Sequence, residues 1–142
     1  MLKLASVFLL IGLLFGTIYT LVIIVSPQTV ANSTLEARAD TNLANIQDKG
    51  AAETILVYGR HMGVFGLTTN IAMFFVLFMG FKKAQRWAWW AFLFAGGIAW
   101  IFGLVTQIAE GDMMNMIGHV IGIGLWLVGI LLPIKVFFPK KA

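Results

Sequence analysis

Apolar residues fall into four long runs separated by short polar segments. The runs cover about residues 4–25, 58–81, 87–108 and 113–138. A helix needs about 20 apolar residues to cross the roughly 30 Å hydrocarbon core of a bilayer. None of the runs alternates between polar and apolar positions as the strands of a membrane barrel do. The pattern predicts an all-α protein, an integral membrane four-helix bundle that forms a single membrane domain over 1–142.

The composition excludes most soluble classes of protein. Of the 142 residues, 60% are hydrophobic, 11% are charged and none is cysteine, whereas soluble proteins carry about 25% charged residues. A cytosolic enzyme, a secreted disulfide scaffold and a disordered tail are therefore excluded. The bilayer itself is the first partner that the composition predicts.

The first run also has features of a signal peptide, because Lys3 precedes it. The hydrophobic part of a signal peptide has about 7–15 residues, and the run over 4–25 is longer. A retained signal anchor is the expectation, and cleavage is the alternative.

The charges are distributed unequally between the two ends of the runs. One side holds seven basic residues and no acid, and the other holds three basic residues with all six acids, giving +7 against −3. The seven basic residues are Lys3, Lys82, Lys83, Arg86, Lys135, Lys140 and Lys141. Because basic residues are retained in the cytoplasm during insertion, we expect a multi-pass protein of the plasma (inner) membrane with both termini cytoplasmic. The net charge of +4 then reflects topology and contact with anionic lipid, and no nucleic-acid partner is expected.

The longest polar segment is the loop over 26–53, which lies on the outer side in this topology. Leu35, Ala39, Leu43 and Ile46 recur in it at roughly helical spacing. This spacing predicts a short amphipathic helix in the first outer loop. The segment is either a solvated connector or a lid or docking surface for a partner.

Glycine is frequent, with 15 residues, and several pairs are spaced by four within the runs. The pairs are Gly12/Gly16, Gly59/Gly63 and Gly118/Gly122. This spacing lets helix backbones approach closely in lipid. Two interpretations follow, packing among the four spans of one chain or contact with a membrane-protein partner or a second copy through a glycine face.

A cluster of polar residues lies at the outer ends of the second, third and fourth runs. Its members are the candidate ligand-binding residues Arg60, His61, Glu110, Asp112, Asn115 and His119. Asp112, Asn115 and His119 have the spacing i, i+3, i+7, which places them on one face of a helix. Polar residues within or at the ends of membrane spans are candidates for function, because placing them in lipid is unfavourable.

Three interpretations of this cluster are open. In the first, Arg60 pairs with one of the two acids and His119 hydrogen-bonds Asn115 or a backbone carbonyl, which fixes the helix register. In the second, His61 and His119 bind a metal together with a carboxylate, a set that suits zinc, iron or copper. In the third, the cluster lines a pocket for a lipid headgroup, a quinone or another amphiphile. The sequence identifies no cofactor.

Several short segments are typical of one group of membrane proteins. They are Ser26-Pro27 after the first run, Tyr58-Gly59-Arg60 followed by Gly63 and Gly66, Arg86-Trp87-Ala88-Trp89-Trp90, and the turn Glu110-Gly111-Asp112. With these segments the chain resembles the DoxX-like small four-helix membrane proteins of bacteria and archaea, many of them uncharacterised. Some members look like subunits of quinone-linked or redox-associated membrane complexes. The resemblance implies a prokaryotic, subunit-like protein and carries no catalytic role to any residue.

The sequence contains no catalytic signature, since it has no cysteine, no paired carboxylates within a run and no serine beside a base. We therefore expect a non-catalytic protein, an accessory or scaffolding subunit of a larger membrane complex. The alternative is a binding module for a lipid, a quinone or a metal at the outer polar cluster.

Overall fold

The computed structural model of the protein describes residues 1–110 and 113–139, without the side chains of 110 and 113–115. The described part consists of helices and contains no strand. Four of its helices are long and apolar enough to cross a membrane, Leu2–Val25, Lys49–Lys83, Arg86–Ala109 and Met116–Phe137. The all-α class and the four candidate membrane spans are thereby confirmed, and the side of the membrane on which the termini lie stays a prediction.

The spans are built from α-helices interrupted by short turns of other helix types. The α-helices are α1 (Leu2–Val25), α2 (Pro27–Ala39), α3 (Lys49–Phe75), α4 (Arg86–Gly97), α5 (Gly103–Glu110), α6 (Met113–Leu131) and α7 (Ile134–Phe137). One turn of π-helix, Val76–Gly80, follows α3 and leads into a 3-10 turn at Phe81–Lys83. A second turn of π-helix, Ile98–Phe102, joins α4 to α5, and a further 3-10 turn occurs at Leu43–Asn45. The second span thus continues from α3 to Lys83, and the third joins α4 to α5.

The first outer segment contains a helix, but its extent differs from the prediction. The helix α2 begins earlier, at Pro27, and ends at Ala39, because Asp40 adopts a left-handed conformation with φ 46°. Leu43 lies in a separate 3-10 turn, whose amides are bound by the side chains of Asn42 and Asn32 at 3.0 and 2.9 Å. A single amphipathic helix through Leu43 and Ile46 is therefore wrong, because local side-chain bonds compete with helix continuation.

The second span begins well before its apolar run. Asp48 starts α3 by accepting hydrogen bonds from the amides of Gly50 and Ala51 at 2.8 and 3.2 Å, as an N-cap residue does. From Lys49 to Lys83 the helix has 35 residues, about 50 Å at 1.5 Å per residue. Since the hydrocarbon core is about 30 Å thick, roughly the first dozen residues of α3 extend beyond it.

Most buried side chains lie at one end of the bundle. There the ring of Phe81 contacts those of Phe92 and Phe137, with centroids 5.3 and 4.8 Å apart. Five basic residues also lie at this end, which we call the basic end: Lys3, Lys82, Lys83, Arg86 and Lys135. The opposite end, which holds Asp48, Arg60 and Gln107, is called the polar end below. Five of the seven basic residues assigned to one side by the charge pattern thus lie together, and Lys140 and Lys141 lie outside the described residues.

Side chains of the third span hydrogen-bond to backbone carbonyls of the fourth at the basic end. Trp89 Nε1 donates to the carbonyl of Ile130 at 2.9 Å, and Arg86 Nε donates to that of Phe137 at 3.0 Å. Both carbonyls belong to the last turns of helices, where intrahelical donors run out. Higher in the bundle, Trp126 Nε1 donates to the carbonyl of Phe92 at 2.8 Å. These bonds fix the register of the third and fourth spans.

Three of the six paired glycines, Gly16, Gly63 and Gly122, lie at close contacts between spans of the same chain, and the other three make ordinary contacts. A β-carbon on Gly63 would come within 2.8 Å of Ile24 and one on Gly16 within 3.2 Å of Asn70. Gly122 faces the ring of Trp100 so closely that no side chain fits there. The described structure therefore uses these glycines for packing within the bundle, mainly of α1 against α3 and α6. Nothing in it places a glycine face against another subunit.

Candidate functional site

Two of the predicted site residues lie on the surface of α3 near the polar end. Arg60 and His61 are both exposed. They are adjacent in a helix, so their side chains leave the axis about 100° apart. This arrangement does not by itself aim both side chains at one point. Arg60 and His61 therefore stand at the rim of the bundle rather than inside it.

His119 occupies a different environment, between the third and fourth spans. Its ring lies directly over Gly103, where a side chain would collide with Nε2. It also contacts Trp100 edge to face, with ring centroids 5.9 Å apart and an interplanar angle of 76°. Gly103 is thus small because it receives the imidazole, and His119 contributes to the packing of the two spans.

Gln107 lies one helical turn beyond Gly103 on α5. Its Oε1 atom is buried and has no hydrogen-bond partner in the described part of the chain. A buried acceptor without a donor is unfavourable by about 1–3 kcal/mol. Gln107 and His119 as residues are both half-buried, and of the two only His119 belongs to the predicted cluster.

The remaining predicted members cannot be placed. Asp112 lies outside the described residues, as do the side chains of Glu110 and Asn115. Pairing of Arg60 with an acid, and a common face for Asp112, Asn115 and His119, therefore stay predictions. Among the described residues no group of three or more histidine, cysteine or acidic side chains is placed to hold a metal ion, so a metal at His61 and His119 also stays a prediction.

The sequence analysis missed one polar residue inside the bundle, Asn70. It lies on α3, ten residues before Gly80, which corresponds to about 15 Å along the helix and places it near the middle of the span. Asn70 lines a cavity of about 100 Å³ between the four spans, and its amide lies against Gly16. Within the described part of the chain the amide forms no hydrogen bond. Asn70 therefore has unused hydrogen-bonding capacity near the middle of the second span.

A sequence signal for Asn70 was present in the triplet Thr68-Thr69-Asn70, which interrupts the apolar run over 58–81. The hydroxyls of the two threonines are already hydrogen-bonded within their own helix, since both donate to the carbonyl of Phe65, at 2.9 and 2.8 Å. An asparagine amide is too polar to be satisfied by one such contact, because it has two donor hydrogens and an acceptor oxygen. An asparagine in the middle of a span is thus a stronger signal than a threonine.

Comparison with known proteins gives no homologue: no protein-family model, no curated protein and no solved structure matches the chain. The resemblance to the DoxX-like group therefore stays an expectation from the residues quoted for it.

Proposed function

We propose that the protein is a non-catalytic accessory or scaffolding subunit that binds a helix of a partner membrane protein along α3. One observation carries the proposal. Ile55, Tyr58, Met62 and Phe65 form a stripe along α3, with exposed fractions of 36, 68, 69 and 69%. We call these four residues the α3 stripe. Their spacing of three, four and three residues is that of the a and d positions of a coiled coil.

Contact with lipid explains the exposure of only some of the apolar side chains of the α3 stripe. From Met62 toward the basic end the second span is apolar apart from Thr68-Thr69-Asn70, and about 20 residues suffice to cross the hydrocarbon core. Ile55 and Tyr58 precede this run and lie where α3 extends beyond the core. Exposed apolar side chains outside the lipid mark sites of protein contact, so a partner helix that continues past the membrane fits the stripe.

The other face of α3 is already occupied by this chain. Gly59 packs near Pro27, whose Cβ lies 3.9 Å from the position of an added β-carbon, and Gly63 and Gly66 receive side chains of α1. Hence a partner would meet the stripe and not the glycine faces. This directs the search for partners to α3.

The experiment is native mass spectrometry of the protein extracted from its own membrane in a mild detergent. We expect a complex with a second membrane protein, which the double variant Tyr58→Ser, Met62→Ser loses. The matched control is Val105→Ser, Ile108→Ser on α5, which removes two equally exposed apolar side chains near the same end and should keep the complex. A wild-type protein that is strictly monomeric and without a partner would refute the proposal.

A second candidate is a binding module at the polar end for a lipid, a quinone or a metal. It is supported by the Oε1 atom of Gln107, which is buried and has no hydrogen-bond partner among the described residues. In the same spectra it predicts a bound small mass or metal ion that is absent in His119→Ala and Arg60→Ala. Retention of that mass in both variants would remove this candidate.

A further inference from the structure

The centre of the bundle contains a cavity whose chemistry is that of a binding site. All four spans contribute to its wall, which includes Gly12 on α1, Asn70 on α3, Ala95 on α4 and Trp126 on α6. Its volume is about 100 Å³. Small-molecule sites in proteins are typically apolar with a few polar groups that fix the orientation of the ligand, and this cavity has that composition.

The cavity exists because small residues leave a space that the large neighbours do not fill. The indole of Trp126 lies against Gly96, and the ring of Trp100 lies against Gly122, so both are held at the wall. Gly12 faces only the β-carbon of Leu125 at 4.0 Å. Ala99 and Trp100 both line the cavity from a turn of π-helix, a distortion that is frequent at functional sites.

The polar group in the wall is the unpaired amide of Asn70. The amide lies close to Gly16, where an added β-carbon would be 3.2 Å from both Nδ2 and Oδ1. Asn70 is half-buried, and wherever water does not reach it an amide without a partner is unfavourable. An occupant of the cavity that hydrogen-bonds Asn70 removes this penalty.

Size and charge define the occupant. A water molecule takes up only about 30 Å³ of liquid, and an apolar cavity of about 150 Å³ in another protein holds benzene, so about 100 Å³ corresponds to roughly four to six nonhydrogen atoms. No charged side chain is among the described residues that line the cavity, and an unpaired ion would be expelled. We infer that the cavity binds a neutral, lipid-soluble alcohol or carbonyl compound, whose oxygen hydrogen-bonds the Asn70 amide and whose carbon atoms fill the space beside Gly12.

The inference is tested with 2-azipropanol, a three-carbon alcohol that carries a photoreactive diazirine and has six nonhydrogen atoms, on the whole chain in lipid nanodiscs. After illumination, sequencing of peptides by mass spectrometry should locate the label on wall residues such as Leu13 and Met73. An excess of 1-butanol should remove the label, whereas n-pentane, with the same number of nonhydrogen atoms and no hydroxyl, should not.

Two variants and one control make the test decisive. Asn70→Leu removes the amide, and the loss of one hydrogen bond should lower the labelling about tenfold. Gly12→Leu keeps the amide but fills the space and should lower labelling equally. The control Thr68→Val, on the same helix, removes a hydroxyl that bonds only its own backbone and should label as the wild type does. Circular dichroism checks that each variant is folded.

The inference is overturned if Asn70→Leu and Gly12→Leu label as strongly as the wild type. It is equally overturned if label appears only on lipid-facing residues such as Phe65 and 1-butanol does not compete. In either case the partner of the Asn70 amide is water.

Discussion

The two ends of the bundle are held together in different ways. At the basic end, large side chains such as Leu77, Phe81 and Phe137 are fully buried. Toward the polar end the close contacts are made by small residues, such as Gly66 against Thr20. Exposed apolar side chains such as Phe65 surround them there. One end therefore has a packed aromatic core, and the other has helices that touch along narrow lines.

This difference has an energetic meaning in lipid. Between membrane helices there is little hydrophobic driving force, so association depends on van der Waals packing and interhelical hydrogen bonds. The basic end has both, including the bond from Trp89 to the carbonyl of Ile130. Local opening is easiest where buried contacts are few. We therefore expect the basic end to carry most of the stability, which leaves the polar end free to rearrange around a partner or ligand.

The largest predicted effect is the loss of a core ring at the basic end. Phe81→Ala leaves a cavity between Phe92 and Phe137 and should lower the free energy of unfolding by about 3 kcal/mol. The matched control is Phe65→Ala, whose ring is 69% exposed and which should change it by less than about 0.5 kcal/mol. Titration with sodium dodecyl sulfate in mixed micelles, followed by circular dichroism, measures both. Equal effects of the two substitutions would show that the ends do not differ in packing.

Two glycines on α6, Gly122 and Gly124, test how closely the helices pack in the part of the bundle that lies between its two ends. Gly122→Ala forces a methyl group into the ring of Trp100, and such overpacking should destabilise by about 2 kcal/mol. Gly124→Ala, two residues further on, has nothing within 4 Å of the added carbon. It should stabilise by about 0.5 kcal/mol, because alanine restricts the unfolded chain. The same titration applies, and similar values for both variants would contradict the role given to the Trp100 contact.

The sequence predicted the spans well because their signal is simple. Runs of about 20 apolar residues are required by the thickness of the bilayer. The first three runs lie within helical spans, and the fourth is helical apart from a turn at Leu132-Pro133 and its last residue, Phe138. Helix ends were less predictable outside the membrane. The start of α3 at Lys49 is set by the cap at Asp48, and the end of α2 by the left-handed Asp40. Such local side-chain bonds leave no trace in the hydropathy of the chain.

The candidate site was predictable only in part. Hydropathy identified His119 as a polar residue in a span, but its neighbours Gly103 and Trp100 come from another helix, and which helix faces it depends on packing. Asn70 was present in the sequence, yet its importance depends on a cavity formed by all four spans. A cavity forms where the side chains of several helices do not fill the space between them. The spacing of residues along one helix therefore does not predict it.

The smallest predicted effect concerns Gln107, a half-buried residue of the polar end. Its Oε1 atom has no donor within the described part of the chain, so replacing it with leucine, which is similar in size, should raise the free energy of unfolding by about 1 kcal/mol. The control is Gln85→Leu at the basic end, which removes an exposed side chain that accepts a hydrogen bond from Trp87 Nε1 and should be neutral or slightly destabilising. Both are measured by the same titration. A destabilised Gln107→Leu would mean that the amide has a partner in the membrane, and the polar end would then be a site whose occupant contributes to folding.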